Sequence, residues 1–313
     1  MEIISNTQVN KLIMKPVLSV IIPVYNNGYS LRTEAFPSLL ANSIFRKMEI
    51  ILIDDGSVDD STLSTCANLS RRFPNVVFYP LDGPASGSAS RPRNFGLQLA
   101  TSKYVSFLDP DNRISKHGYD KLYGLITIAR AFCPQIDFVT GFQVKQLFGD
   151  ESITARNCSR FPLRIINSTR KYIVDRNFPT ISSQAAIFRR SFLTSSNLQF
   201  VNNAIGQDTL FGWQALLSAR LVLATDTAHV LYLADRSGSV TNLQNIDWFK
   251  KSYIREEAQV RWLKETKLLN HYLQSNRNKM RWSLYKKRLA CLPGEEVVQA
   301  KEILVQIQRL FDR

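Results

Sequence analysis

Short apolar runs alternate with amphipathic stretches through the first 110 residues of the chain. Each run is four to seven residues long and almost continuous in apolar side chains. This pattern is typical of strands that are buried on both faces, as in a parallel sheet. The predicted strands are 17–23, 49–54, 76–79 and 104–108.

The stretches between these runs predict helices at 30–45, at 59–72 and from 93 to 100. Asp59 or Ser61 is placed to cap the second of them. In the first, Pro37 predicts a break or a late start, because proline has no backbone N–H to donate. Strands that alternate with helices at this spacing predict an α/β protein, a three-layer sandwich around a mostly parallel central sheet.

The rest of the chain predicts a mixed half and a helical end. Strands are predicted at 136–140, 143–148, 184–188, 221–224 and 230–233, with a helix at 209–218. From Asp247 onward the pattern is helical, with a break at Pro293–Gly294. The predicted organisation is a leader over 1–16, an α/β domain over 17–245 and a basic helical C-terminal appendage over 246–313.

Composition adds a strong positive charge to this picture. The chain has 40 basic and 26 acidic residues, and from position 247 to 313 it has 15 basic and 8 acidic ones, which is half of the net charge of +14. A positive field favours anionic partners such as nucleotide diphosphates, nucleic acid or an anionic membrane surface. The aromatic and basic side chains of 246–313 predict helices that pack on the α/β domain, with docking to a membrane or protein partner as the alternative.

No apolar run approaches the roughly 20 residues that a membrane span requires. The first ten residues are too polar for a secretory signal, and the four cysteines form no C-x-x-C pair. We therefore expect free thiols and a cytoplasmic protein, one able to associate with the inner face of the membrane.

Polar clusters follow three of the predicted strands, at the edge where α/β sheets bind ligands. Asp109 and Asp111 are two carboxylates one residue apart, and hard cations such as Mn²⁺ or Mg²⁺ bind such carboxylates together with substrate phosphates. Asp54 and Asp55 can accept hydrogen bonds from a uracil or a ribose. The alternative for each pair is a turn or a loop that caps the next helix.

Two further clusters contain candidate ligand contacts. Tyr25 follows the first strand and offers a flat face to a nucleotide base, or it is partly buried in a simple turn. Arg93 precedes or begins a helix, and arginine binds phosphates through two parallel hydrogen bonds; the alternative is a solvated basic loop.

In their order and spacing these motifs resemble the family 2 glycosyltransferases of the GT-A fold, a Rossmann-like sandwich. The similarity rests on SVIIPVYNN at 19–27, EIILIDDGSVDD at 49–60, RNFGL at 93–97 and YVSFLDPDN at 104–112. It is detailed over 17–125 and looser to about 245. It implies that 17–125 is the nucleotide-binding half and 126–245 the acceptor-binding half.

The resemblance also implies roles for individual residues. The nucleotide-sugar contacts would be Pro23, Tyr25, Asp54, Asp55, Arg93 and Asp109, with Asp55 at the uracil. Asp111 would bind Mn²⁺ or Mg²⁺, and Asp109 would contact the ribose, the metal or its bound water.

The general base of the family corresponds to Asp208, in a stretch where Gln207 stands in place of the more usual glutamate. From the residues alone, an aspartate at the start of a helix is better explained as a helix cap than as a base. Arg236 resembles the arginine of a loop that closes over the diphosphate. His229 is a candidate third metal ligand, whereas a strand histidine is more often simply buried.

The resemblance thus implies an inverting enzyme that moves a sugar from a UDP-sugar to a hydroxyl of a glycan, glycolipid or glycoprotein acceptor, such as a bacterial cell-surface glycan. A retaining enzyme is the close alternative. A non-catalytic nucleotide-sugar-binding or partner subunit is another, against which the intact Asp109, Asp111 and Asp208 argue. A dinucleotide-dependent oxidoreductase is excluded because no G-x-G-x-x-G follows the first strand. Nucleic-acid binding rests on charge alone, and no such partner is expected.

Overall fold

The structure is a computed structural model that describes residues 15–147, 153–156, 164–234 and 245–312. The described residues form one ten-stranded sheet. Its strands are β1 (Leu18–Val24), β2 (Met48–Asp54), β3 (Val76–Pro80), β4 (Tyr104–Phe107), β5 (Arg113–Ile114), β6 (Ile136–Leu147), β7 (Ile153–Arg156), β8 (Arg164–Ile166), β9 (Ala186–Arg189) and β10 (Leu221–Ala234).

Helices flank this sheet and make up the C-terminal region. The first, α1, is built from three consecutive pieces, Gly28–Ser30, Leu31–Ala35 and Phe36–Leu40, and a short 3₁₀ turn follows at Phe45–Lys47. The others are α2 (Asp60–Arg72), α3 (Ser90–Leu99), α4 (Gly118–Phe132), α5 (Thr169–Asp175), α6 (Arg190–Ser195), α7 (Gln207–Ser218), α8 (Ile246–Glu265), α9 (Leu269–Gln274), α10 (Asn276–Ala290) and α11 (Gly294–Asp312).

The sheet is mostly parallel, as predicted. Its order is β3-β2-β1-β4-β9-β6-β10-β5, with β7 paired to β6 and β8 to β10. Strands β3, β2, β1 and β4 are parallel, and β9 runs against both β4 and β6, so that β6 and its parallel neighbour β10 point the same way as β1. Six of the ten described strands therefore share one direction.

Alternate side chains of the central strands enter two separate cores, which makes three layers. Ile21 lies in the core that contains Leu97 of α3 and Phe211 of α7. Its neighbour Ile22 lies in the opposite core, together with Leu122 of α4. Because successive strand side chains point to opposite faces, a run that is apolar at every position must be covered on both sides.

Asp59 caps α2 as predicted, since its carboxylate accepts a hydrogen bond of 2.6 Å from the backbone N–H of Thr62. In α1 the chain does not break at Pro37. It forms a π-helical turn over Leu31–Ala35 and then a new α-helical turn with the proline in its first positions, where a missing N–H costs nothing.

Two pairs of strands that the sequence predicts as separate each form one continuous strand in the structure. Segments 136–140 and 143–147 belong to β6, and 221–224 and 230–233 belong to β10, whose register against β6 shifts near Ala228. At this irregularity Gly141 makes room for His229: a Cβ at position 141 would lie 2.2 Å from the imidazole Cδ2. The bulge thus carries a fully buried histidine, and neither ring nitrogen has a hydrogen-bond partner among the described residues.

This histidine makes the stability of the protein pH-dependent. Burial, together with the charge of Lys121, lowers the pKa of His229 to about 4 from the usual 6.5. Between these values the unfolded chain binds a proton that the folded protein does not, so stability falls as the pH drops from 6.5 to 4, by about 3 kcal/mol in total. We expect urea unfolding in EDTA to show this loss, and His229→Phe to remove it. His271→Gln, at an exposed histidine, is the control; an equal acid dependence in wild type and His229→Phe would contradict the assignment.

The C-terminal helices pack on the α/β domain, which confirms the packing interpretation of their aromatic pattern. Trp248 and Phe249 of α8, Tyr285 of α10 and Phe311 of α11 belong to the same core as Ile21 of the central strand. These aromatic side chains are therefore covered by the protein itself. None of the helices in the described ranges is long and apolar enough to span a bilayer.

Candidate active site

The loops after β1, β2 and β4 meet at one edge of the sheet. Their starts are joined by backbone hydrogen bonds: Asp55 donates its N–H to Val24 at 2.8 Å, and Leu108 donates to Ile21 at 3.0 Å. The predicted site residues of these loops are thus brought together by the parallel sheet itself. Pro23 is buried within β1, and the side chain of Tyr25 is 42% exposed just beyond it.

Asp54 and Asp55 are both buried but have different surroundings. The Asp54 carboxylate accepts hydrogen bonds from the backbone N–H groups of Gly56 and Ser57 and from the Ser57 hydroxyl, so it holds the loop after β2 in shape. The Asp55 carboxylate accepts from Ser86 at 2.7 Å and from Arg91 Nε at 2.6 Å.

The pairing of Asp55 with Arg91 ties the loop after β2 to the loop before α3. The family resemblance implies a ligand contact for Arg93, two residues further along the chain, and none for Arg91. Nothing in the local sequence marks Arg91 as a partner of a carboxylate 36 residues away. Arg91 is one-third exposed, so it presents a guanidinium at the rim of the predicted nucleotide site.

Arg93 lies at the centre of the site and bridges two carboxylates. Its Nη1 donates to Asp208 Oδ1 at 2.7 Å, and its Nη2 donates to Asp109 Oδ1. The side chain is 2% exposed. Burial lowers the pKa of its guanidinium, but the negative charges of Asp109 and Asp208 raise that pKa by a larger amount. The net shift of the pKa is upward, so Arg93 remains a cation.

The position of Arg93 is set by close packing of α3 on β1. One helical turn further on, Gly96 lies so near the strand that a Cβ there would be 2.5 Å from Ile21 Cγ2. Asn94 exchanges two hydrogen bonds with the backbone of Phe200, at 2.8 and 2.9 Å. The Phe200 ring in turn lies under the Arg93 guanidinium, 5.1 Å away, so the arginine is supported from below.

Asp208 lies in the first turn of α7, after Gly206, which has a left-handed backbone (φ +67°). The N-cap position of this helix is Gly206, which has no side chain to cap it, so Asp208 is not the N-cap. One of its carboxylate oxygens binds Arg93, and the other has no hydrogen bond to any residue that the structure describes. Burial and the neighbouring Asp109 raise the pKa of Asp208, although Arg93 opposes the shift. The side chain is still 38% exposed, so the carboxylate is accessible from solvent.

Gln184 organises the Asp-x-Asp loop. Its amide oxygen accepts from the backbone N–H of Asp109 at 3.0 Å and from the side chain of Asn112 at 2.9 Å. Its amide nitrogen donates to Asp109 Oδ2 at 2.9 Å. Both carboxylate oxygens of Asp109 are therefore engaged, one by Gln184 and one by Arg93. The sequence offered no signal for this role, because Gln184 is 75 residues from the loop it holds.

The Asp-x-Asp pair suits a hard divalent cation in its chemistry. Asp111 is half-buried, and its role as a metal ligand remains a prediction drawn from the family resemblance. No group of three or more His, Cys, Asp or Glu side chains within the described ranges is arranged to hold a metal ion. His229 does not join Asp109 and Asp111 in such a group. Arg236 lies outside the described residues.

A cavity of about 530 Å³ opens beside the Asp55–Arg91 pair, between the loop before α3 and helix α8. Lys250 and Lys251 of α8 line it, and Lys251 donates to the Gly87 carbonyl at 2.5 Å. The lining is positively charged, with Asp247 as its acidic member. The C-terminal region therefore contributes directly to the surface around the site.

Comparison with known proteins agrees with this arrangement. A family model described as "Glycosyl transferase family 2" matches residues 19–195, more than half of the chain. The minor teichoic acid biosynthesis protein GgaB of Bacillus subtilis is 35% identical over 105 residues, which cover 33% of this chain and 11% of GgaB. The poly(ribitol-phosphate) beta-N-acetylglucosaminyltransferase TarP of Staphylococcus aureus is 29% identical over 203 residues, covering 58% of this chain and 59% of TarP.

Among solved structures, S. aureus TarS 1-349 in complex with UDP-GlcNAc shares the fold, with a TM-score of 0.56 and 17% identity over 96% of this chain and 91% of that one. The fold class is therefore that of the GT-A glycosyltransferases, as expected. The chain belongs to family 2 of the glycosyltransferases.

Proposed function

We propose that the protein transfers a sugar from a UDP-sugar to a hydroxyl of a glycan acceptor, with inversion at the anomeric carbon. Asp208 is the general base, Asp109 and Asp111 hold Mn²⁺ or Mg²⁺, and Pro23, Tyr25, Asp54 and Asp55 surround the nucleotide. The proposal is supported by family membership and by a fold shared with a structure that was solved in complex with UDP-GlcNAc.

The observation that carries the proposal is the bridge from Asp208 through Arg93 to Asp109. A single guanidinium joins the two carboxylates, so they are no farther apart than two hydrogen bonds and the width of that group. An inverting transfer requires a base on one side of the sugar and a diphosphate site on the other. In this proposal Arg93 holds the base, Asp208, and the diphosphate-binding loop, which contains Asp109, close enough together to lie on the two sides of one sugar.

In the transfer, the acceptor hydroxyl donates its proton to the free oxygen of Asp208 as its own oxygen attacks the anomeric carbon. The C–O bond to the UDP diphosphate breaks on the opposite face, and UDP leaves with the bonding electrons. Arg93 keeps Asp208 oriented, and its positive charge lies next to the loop that receives the negative charge of the leaving group. A divalent cation, when bound, would neutralise the diphosphate and so make it a better leaving group.

The acceptor is proposed to be a surface polymer that bears phosphate groups. Two relatives act on such polymers according to their names, teichoic acid and poly(ribitol-phosphate). The basic cavity at Lys250 and Lys251 adjoins the site and has the complementary charge.

Release of UDP tests the proposal directly. We expect one sugar in a panel of UDP-sugars to be turned over with Mn²⁺ and not with EDTA, faster with poly(ribitol phosphate) than with a neutral glycan. Replacing a residue that only hydrogen-bonds to a metal ligand costs about 10–100-fold in metal affinity. Asp111→Asn should therefore lower the affinity for Mn²⁺ by at least about 10–100-fold. Asp60→Asn, at an exposed position, should leave the affinity for Mn²⁺ unchanged.

A protein that does not bind UDP, with or without Mn²⁺, would contradict the proposal. UDP binding without any turnover, across sugars and acceptors, would favour the non-catalytic subunit instead. Stimulation by the neutral glycan alone would contradict the phosphate-bearing acceptor.

A further inference from the structure

The C-terminal helices enclose a charged cluster that the proposed chemistry does not use. Glu256 of α8 is fully buried. Its carboxylate accepts hydrogen bonds from Arg255 at 2.6 Å, Tyr285 at 2.9 Å and Arg281 at 2.9 Å. A buried charge of this kind is costly unless it is paired, and replacement by apolar side chains is often as stable. Stability alone therefore gives little reason for the cluster.

One member of the cluster reaches out of it toward the site. Arg255 donates from Nη1 to the backbone carbonyl of Ile205 at 3.3 Å. The same nitrogen occupies the space beside Gly206, where a Cβ would lie 3.0 Å from it. The other terminal nitrogen of Arg255, Nη2, donates to Glu256 and Tyr285, so the guanidinium is fixed in one orientation.

The contact falls on the turn from which α7 starts. Gly206 is the left-handed N-cap residue of α7 and has no side chain to cap that helix, and Asp208 is only two residues further on. With no local cap, the direction of the first turn is set by groups from elsewhere in the chain. Arg93 holds Asp208 from the sheet side, and Arg255 holds the preceding backbone from the side of the C-terminal helices.

We propose that Arg255, braced by Glu256 and Tyr285, is a positioning residue that holds the Ile205–Gly206 turn and thereby aims the Asp208 carboxylate at the acceptor. The C-terminal helices are thus part of the catalytic apparatus. This inference rests on the proposed function, since it acts through Asp208 as the base.

The test is a double-mutant cycle between Arg255→Gln and Asp208→Asn, with UDP release as the readout. A displacement of about 1 Å in a catalytic group can cost about 10²-fold in rate, so Arg255→Gln should lower kcat about 10–100-fold. The donor KM and the affinity for UDP should change less than about twofold, because the nucleotide contacts lie on other loops. In the Asp208→Asn background the same change should have no further effect, because there is no base left to aim.

Two variants serve as controls. Arg261→Gln removes an exposed arginine from the same helix and should leave kcat unchanged. Gly206→Asn disturbs the contact from its other side, since asparagine tolerates the left-handed backbone but adds a Cβ against Arg255. It should lower kcat as Arg255→Gln does, and it carries the test if thermal unfolding shows that Arg255→Gln does not fold.

Full kcat in a folded Arg255→Gln or Gly206→Asn variant would overturn the inference, as would an equal loss in the Asp208→Asn background or an effect confined to the donor KM. If Asp208→Asn alone kept its activity, the base assignment would fail and this inference with it. If Asp208→Asn were inactive but Arg255→Gln were normal, only the positioning role would fail.

Discussion

Asp208→Asn is expected to reduce the rate of sugar transfer about 10²–10⁴-fold, the range that general-base catalysis contributes. The asparagine can still accept the hydrogen bond that Arg93 donates to Oδ1, so the geometry of the bridge is kept. What is lost is the ability of the second oxygen to take a proton. UDP affinity should change little, because the nucleotide is bound by other loops.

The measurement is kcat with saturating UDP-sugar and Mn²⁺, compared with Asp226→Asn, which changes an exposed aspartate. Since the pKa of Asp208 is raised, the wild-type rate should fall with decreasing pH at a higher pH than for an ordinary aspartate. A variant that retains more than about a tenth of the activity would remove Asp208 from the mechanism.

Glu256→Gln is expected to lower the free energy of unfolding by about 3–5 kcal/mol, the cost of breaking a buried ion pair from one side. Arg281 is nearly buried, and Arg255 is mostly so, and both would lose the carboxylate with which they pair. Burial raises the pKa of Glu256, but the two guanidinium groups outweigh it and hold the pKa below the usual value. The carboxylate therefore stabilises the fold above its unfolded pKa, and this contribution is lost as the pH falls through the folded pKa.

Urea unfolding at neutral pH measures this loss. The matched control is Glu257→Gln, because the next residue of the same helix is exposed and should change stability by less than about 0.5 kcal/mol. Equal midpoints for the two variants would show that the cluster is not the strong electrostatic unit described here. They would also weaken the case that it braces Arg255.

The strands and helices of the first half could be predicted because their signals are local. An apolar run between turn residues reports its own burial, and the cap at Asp59 is read from its neighbours. The predictions of two strands each for β6 and β10 were wrong, because Gly141 interrupts the strand pattern of one segment and the polar residues 225–227 interrupt that of the other. Only the packing of His229 on Gly141 shows why the strands continue.

By itself the sequence determined the fold class and the carboxylates at the strand ends, because the alternation of apolar runs with helices is a local signal and each polar loop directly follows its strand. The roles of Pro23, Tyr25, Asp54, Asp55 and Asp111 remain predictions drawn from the family resemblance. Only the tertiary structure decided that Arg93 joins Asp109 to Asp208, that Gln184 holds the Asp-x-Asp loop and that Arg255 reaches the start of α7. Those partners are separated by 16 to 115 residues along the chain. Contacts at such distances depend on how helices pack against the sheet, and no local periodicity or spacing records that packing.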